Sequence, residues 1–452
     1  MAHLIRSRPA ALLWIVPVLL VVIVIGIPLL AVLFSLDIAA IRALAALFAS
    51  EVALNSLLLL VTAGLVSLLF GLPAAWLTAT TSFPGRMVLE VLLVLPLAIP
   101  AYIIAYTYKG IFGPFGTVMS WWGWYVEVDN LPVLAVLMAA VLYPYVCLVC
   151  RSLFLRSSTR LLEAARTMGV SRNRAFFRLA LPLARPALAA GLFLVGMEVL
   201  NDYGAVSYFG IRTFTTEIIR QWNPLDLQPV VRMAVSLLLA VILILWLEKR
   251  WRKQARYDEK LPGRLAQHRE PLRGGKAALA IIVCAIPVII GAVIPVLQLL
   301  AWAAISVSRV LDADFFTMML NTFGLAAGAA VGCVLLSLLV HYVNRLFPGR
   351  LLTSLSGLSA MGYAIPGAVI GVGILVPVAW INREFNWLLT GTTGLLIYGY
   401  VVRFLAVSHQ TIESGWAKQP RQLHEVARSL GSGPWRTLFR VELPLLRPAM
   451  LA

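Results

Sequence analysis

The sequence predicts an all-α integral membrane protein: two tandem, parallel-oriented bundles of about six transmembrane helices each, the second truncated. Three observations carry this prediction. Of 452 residues, 61% are hydrophobic and only 13% charged, too little polar surface to cover a soluble core. The apolar residues fall in long runs, and about 20 such residues let a helix cross the hydrocarbon layer. Several short motifs also return at a nearly constant separation of 262–266 residues.

Ten candidate spans follow in order: 10–36, 52–80, 87–111, 131–153, 184–207, 229–248, 277–307, 316–343, 352–380 and 391–411. The first is longer than the roughly 7–15 apolar residues of a signal-peptide core and has no small-x-small cleavage site behind it. It is read as a retained span. The net charge of +17 would suggest nucleic acid in a soluble chain, but the basic residues are confined to alternate loops. Arg6 and Arg8 precede the first span, and Arg86 follows the second. Arg151, Arg156, Arg160, Arg166, Arg172, Arg174, Arg178 and Arg185 follow the fourth. A Lys/Arg-rich stretch follows the sixth, Arg345 and Arg350 the eighth, and Lys418, Arg421, Arg428, Arg436, Arg440 and Arg447 the tenth. The other loops are balanced, so the N-terminus is expected on the cytoplasmic side. No nucleic-acid partner is expected; membrane lipid is. The aromatic cluster Trp121, Trp122, Trp124 and Tyr125 suits an interfacial anchor. Cys147 and Cys150 form a C-x-x-C with apolar neighbours and no second pair, which reads as packing rather than as metal or redox chemistry.

The repeat organises the chain. Glu163-Ala-Ala-Arg-Thr-Met-Gly169 returns 262 residues later as Glu425-Val-Ala-Arg-Ser-Leu-Gly431, and Leu181-Pro-Leu-Ala-Arg-Pro186 as Leu443-Pro-Leu-Leu-Arg-Pro448. Phe83-Pro-Gly-Arg86 returns as Phe347-Pro-Gly-Arg350, and Ala98-Ile-Pro100 as Ala364-Ile-Pro366. Residues 1–248 form the first repeat, with a distinctive loop at 156–187. Residues 249–276 form a charged cytoplasmic linker. Residues 277–452 form the second repeat, with its loop at 418–449. Six spans separate the copies, so both have the same orientation, a geometry that suits a pathway between two bundles. By internal symmetry the second repeat lacks two spans, about 60–80 residues, and an intact molecule would have twelve.

Each repeated loop reads as two short helices joined at a glycine. Pro420 suits the first turn of one, and Gly431 its end. Leu161, Ala165 and Met168, and likewise Leu423, Ala427 and Leu430, recur at helical spacing and make one apolar face. A second amphipathic segment carries Phe177 or Phe439 until Leu-Pro ends it. Two readings fit an apolar stripe flanked by arginines outside the bilayer: docking into a partner's groove, or lying on anionic lipid. Repetition of Glu, Ala and Gly at fixed spacing favours the first.

The pattern E-A-A, three residues, G, then a later L-P resembles the coupling loop of ABC importer permeases. The fused copies look like a permease in which one chain supplies both transmembrane subunits, with the type I importer fold. The resemblance implies that each loop helix docks on a cytoplasmic ABC ATPase dimer. It assigns ATPase coupling to Glu163, Ala164, Ala165 and Gly169 in the first copy and to Glu425, Ala427 and Gly431 in the second. Val426 stands where the family usually has alanine. It also implies a periplasmic substrate-binding protein as partner. No G-x-x-x-x-G-K-[S/T] phosphate loop is present, since Gly274-Gly-Lys276 is followed by Ala277. The chain is therefore expected to be no enzyme and to hold no cofactor, with ATP and Mg bound by the separate ATPase.

The stretch Glu198-Val-Leu-Asn-Asp-Tyr-Gly through Tyr208-Phe-Gly210 and Thr213-Phe-Thr-Thr216 resembles the ferric-iron branch of the family. Related branches import thiamine, polyamines, sulfate or phosphonates, and share parts of this motif. Glu198 and Asp202 fall one helical turn apart in the fifth span, and ionisable groups at that depth face a bundle interior or a water-filled path. Their carboxylates would suit a hard cation, so they are candidate pathway residues; a structural role fits equally. No firm metal site is read. An ion-gradient transporter would read Pro96, Pro100 and Pro366 as breaks around a midplane site, but leaves the repeated loops unexplained.

Overall fold

The computed structural model describes residues 8–35, 50–223, 226–253, 269–347, 349 and 365–451. Helix is its dominant element, as an apolar chain in lipid must satisfy its backbone internally. In order these are α1 (Arg8–Phe34), α2 (Glu51–Thr80), α3 (Arg86–Leu92), α4 (Ala101–Phe112), α5 (Thr117–Trp122), α6 (Leu131–Thr167), α7 (Arg172–Ala175), α8 (Leu181–Asn201), α9 (Gly204–Tyr208), α10 (Phe214–Arg220) and α11 (Gln228–Lys253). The second repeat continues with α12 (Gly275–Val288), α13 (Ile294–Val310), α14 (Ala313–Leu346), α15 (Gly367–Phe385), α16 (Thr393–Ala417), α17 (Arg421–Ser429), α18 (Pro434–Thr437) and α19 (Leu443–Leu451). A short parallel pairing of Thr81–Ser82 with Glu270–Pro271 fastens the end of the linker to the end of α2.

Among the described residues, nine helices are long and apolar enough to cross a membrane. The expected third span is different: residues 86–98 and 101–122 are bent by 92°. Pro96 and Pro100 explain the correction, since neither has an N–H to give and each bars a continuous ladder. The ninth expected span, 352–380, is described from residue 365 onward, as α15; its first part lies outside the described residues.

α6 is the hub of the first repeat. Residues from Leu137 through Tyr143 are buried, as are Val146, Cys147 and Cys150. α2 and α8 reach it through glycines. A Cβ added at Gly71 would stand 2.8 Å from the Tyr143 carbonyl oxygen, and one at Gly191 would stand 2.8 Å from Val146 Cα. Lipid supplies no hydrophobic drive between helices, so close backbone approach at small residues holds them together. The two cysteines sit inside this contact as small packing groups.

The repeats of the sequence are not the compact units of the fold. One unit joins α1 to α14–α19 and the start of α11; the other joins α2–α10 to the rest of α11 and α12–α13. The first helix of each repeat thus packs with the remainder of the other. Within one unit, Gly373 of α15 lies against the backbone of Pro28, Tyr398 donates a hydrogen bond to the Val24 carbonyl at 2.5 Å, and Ile25 enters a cluster with Ile370, Ile374 and Leu405. In the other, Tyr108 donates to the Ile290 carbonyl at 2.9 Å, and Gly291 lies against the backbone of Ala140.

The repeats also share an irregularity. A turn of π-helix spans Phe176–Ala180 in one copy and Leu438–Glu442 in the other, 262 residues apart. Leu-Pro follows each. The sequence reading has Leu-Pro ending a helix; instead each helix runs through it. Proline clashes with the carbonyl four residues back, and widening the preceding turn removes that clash.

Candidate functional site

In the second repeat the loop is built as the spacing predicts. α16 stops at Ala417, Pro420 is extended (ψ 131°), and α17 starts at the next residue. Proline removes a helical donor and disfavours helix at the residue before it. α17 closes on Gly431, whose φ of +84° is left-handed. Its N–H bonds to the Arg428 carbonyl at 3.1 Å and that of Ser432 to Ala427 at 3.1 Å, the paired bonds of a glycine-terminated helix. Glu425 is exposed. Ala427 is buried against the chain itself, whereas Leu423, Val426 and Leu430 are exposed. The outward apolar face is therefore Leu423, Val426 and Leu430, and the expected member Ala427 points inward. Trp435 and Phe439 lie beyond, stacked at 6.1 Å and exposed.

A polar cluster that the sequence reading missed holds α17 in place. Glu442, 2% exposed, lies 2.6 Å from His424 Nδ1 and 3.5 Å from Arg345 Nε. Tyr342 donates to the Pro434 carbonyl at 2.5 Å. A buried carboxylate needs such partners. The signal available was the repeat itself, because the first copy has Leu162 for His424 and Ala180 for Glu442.

In the first repeat, Ser158 replaces Pro420, and α6 runs unbroken from Leu131 to Thr167. Glu163, Ala164 and Ala165 therefore occupy the last turns of a membrane helix rather than a separate short one; their side chains lie outside the described set. Gly169 again takes a left-handed φ, +74°, and Met168 and Phe177 are exposed. The anchoring is aromatic here: Trp76 meets Phe154 at 5.2 Å and Phe176 at 4.9 Å.

The two candidate pathway carboxylates part company. α8 ends at Asn201, so Asp202 does not continue the helical face of Glu198. It stands in extended backbone, where its Oδ1 accepts from the N–H groups of Ala205 (2.9 Å) and Val206 (3.1 Å). Thr215 donates to its carbonyl at 2.7 Å. Asp202 thus ties down the start of α9. Glu198 remains on α8, half-buried. The following stretch builds a staple: Glu217, with its side chain fully buried, pairs with Arg212 at 2.8 Å and Arg220 at 3.0 Å. Burial opposes its ionisation, but hydrogen bonds from Arg212, Gln221 and Arg220 outweigh that and hold its carboxyl below the ordinary range. Asn55 Nδ2 donates to the Arg212 carbonyl at 3.2 Å, joining the staple to α2. Among the described residues, no three of His, Cys, Asp and Glu are grouped to hold a metal.

The family described as binding-protein-dependent transport system inner membrane component matches this chain over residues 67–253 and again over 345–452. The chain belongs to that family. Each repeat carries one of its domains, so the chain is a two-copy ABC importer permease of the inner membrane, with the type I fold. Among similar proteins, an Fe(3+)-transport system permease of Haemophilus influenzae is 24% identical over 96% of this chain and 85% of its own length. A putative ferric transport system permease of the same organism is 25% identical over 88% of this chain and 66% of its own length. A molybdate/tungstate transport permease of Thermococcus kodakarensis is 30% identical over 43% of this chain and 76% of its own length.

Proposed function

We propose that this permease imports ferric iron, handed over by a periplasmic binding protein and driven by a separate ATPase. The observation that carries the reading is the likeness to the Haemophilus Fe(3+) permease along nearly the whole chain. The run from Glu198 to Thr216 supports it. In this reading the N-terminus and both repeated loops face the cytoplasm, where the arginines concentrate. An ATPase dimer receives one segment from each repeat, Glu163–Gly169 and Glu425–Gly431. The exposed Leu423, Val426 and Leu430 fill a groove on one ATPase subunit, and Glu425 sits among them. ATP and Mg belong to the ATPase; closure of its dimer drives alternating access in the permease. Glu198 is the pathway carboxylate, while Asp202 fixes the loop beyond it.

Uptake of radioactive ferric iron by a deletion strain, with and without the restored gene, tests the cargo. Iron-specific uptake is expected; uptake of thiamine, a polyamine, sulfate or a phosphonate instead would overturn it. For coupling, Glu163→Ala combined with Glu425→Ala should abolish uptake with membrane abundance unchanged. Undiminished uptake in that double variant would sink the ATPase assignment. Oxyanion import is the second reading, favoured by the higher local identity to the molybdate/tungstate permease.

A further inference from the structure

The repeated loop of the first copy is seated on the last turns of α2. Trp76, a buried side chain there, meets Phe176 of the π turn at 4.9 Å and Phe154 of α6 at 5.2 Å. Phe176 in turn meets Phe177 edge-on at 5.0 Å, and Phe177 belongs to the loop's exposed face. Where that face stands therefore depends on how firmly the end of α2 is held. A helix end leaves its last carbonyls without intrahelical partners and frays unless something caps it.

The cap comes from a segment 190 residues away, where Arg269 Nε donates to the Ala79 carbonyl at 3.4 Å. Thr81 and Ser82 pair with Glu270 and Pro271, and the Leu272 N–H donates to the Ser82 carbonyl at 2.8 Å. The Leu272 side chain is buried in the same core cluster as Trp76, Ala79 and Phe83. Closer in sequence, Arg86 donates to the Thr78 carbonyl at 3.4 Å and joins Glu90, which pairs with Arg151 of α6 at 2.8 Å. All of these groups lie in one compact unit.

The second copy shows what this arrangement replaces. With α14 aligned on α2 through Asn321 and Asn55, Arg345 falls at Ala79. Arg345 supports its own loop directly, reaching Glu442 at 3.5 Å. The first copy has only a methyl group at that place, and a guanidinium arrives from the linker instead. A cation at a helix C-terminus also meets the negative end of its dipole. A segment that merely spanned two bundles would need neither the backbone pairing nor the buried leucine.

We propose that residues 269–272 are a clasp that positions the first repeat's loop for coupling, with Arg269 and Leu272 acting as positioning residues through the end of α2 and Trp76. Its part in coupling rests on the reading of that loop as an ATPase-docking element. Its hold on the loop does not, and is measurable with no ATPase present.

The test is hydrogen exchange of the full chain in lipid discs, each amide taken relative to its intrinsic rate. Leu272→Asp should cut the protection of residues 174–180 roughly fivefold or more and leave residues 421–429 of α17 unchanged. Leu272→Met, which keeps the apolar plug, should match wild type. Arg269→Gln gives the second variant, with a loss of roughly twofold or more at the same residues, and decides the matter alone if Leu272→Asp does not fold. A protease site inserted between Glu259 and Lys260 separates clasp from tether: cutting there after assembly should leave residues 174–180 protected. Wild-type protection in a folded Leu272→Asp or Arg269→Gln variant, equal loss in both loops, or loss on cutting alone overturns the clasp. Uptake by cells then reads its purpose, with a fall of roughly fivefold or more expected in Leu272→Asp at unchanged membrane abundance. Lost protection with undiminished uptake would leave the clasp standing and overturn its part in coupling.

Discussion

Glu442 and Ala180 occupy the same place in the two repeats, and the difference has a measurable cost. Removing one partner from a buried charge cluster leaves the others uncompensated, at about 3–5 kcal/mol. Glu442→Ala alone should therefore lower the unfolding temperature of the second half and raise protease cleavage around α17. Adding His424→Leu, which restores the first repeat's pair, should recover part of the loss. Glu217 makes a pH prediction. Its folded carboxyl lies below the ordinary value of 4.5, so the staple contributes fully above 4.5 and loses its contribution as pH falls through the lower folded value. The protection of residues 211–221 against hydrogen exchange, taken relative to the intrinsic rate, should be constant from pH 7 to 5 and fall below 4.5; Glu217→Gln should abolish that pH-dependent step. Neither residue stands out by pattern, because a buried acid and an exposed one look alike until their neighbours are known. Glu198 and Asp202 show the same limit: spacing put both on one helical face, and a helix end between them did not register.

Element boundaries turned on proline, and proline acted three ways. Pro96 and Pro100 bent a span by 92°, Pro420 separated two helices, and Pro182 and Pro444 were absorbed by π turns. Hydrophobic length alone therefore located most of the helices, while their joints required knowing which carbonyl each proline would meet. The contrast between Ser158 and Pro420 is testable. Pro420→Ser should let α16 and α17 approach one continuous helix, as in α6. Spin labels at Ser414 and Arg421 should then report the roughly 1.5 Å rise per residue of an unbroken helix; an unchanged distance would show that tertiary contacts, with no help from proline, set the break.

Across the molecule, the repeat predicted two parallel copies but not the exchange of their first helices. A repeat reveals which segments are alike; it is silent on which bundle each segment joins. Removing α1 should strip the cover from Ile370, Ile374 and Leu405. Hydrogen exchange should then rise along α15 and α16, while α2, α6 and α8 keep their protection. Equal deprotection of both sets would mean that the two units unfold as one.

The exchange also sets a timetable. α1 leaves the ribosome well before α15, which begins about 330 residues after α1 ends. At roughly 5–20 residues per second, α1 waits roughly 15–65 s for that partner. During that interval lipid takes the place where α15 will pack. Its freedom from charged residues after Arg8 is then a requirement of biosynthesis as much as of the finished fold, and a polar substitution on its inward side would be penalised before any inward side exists.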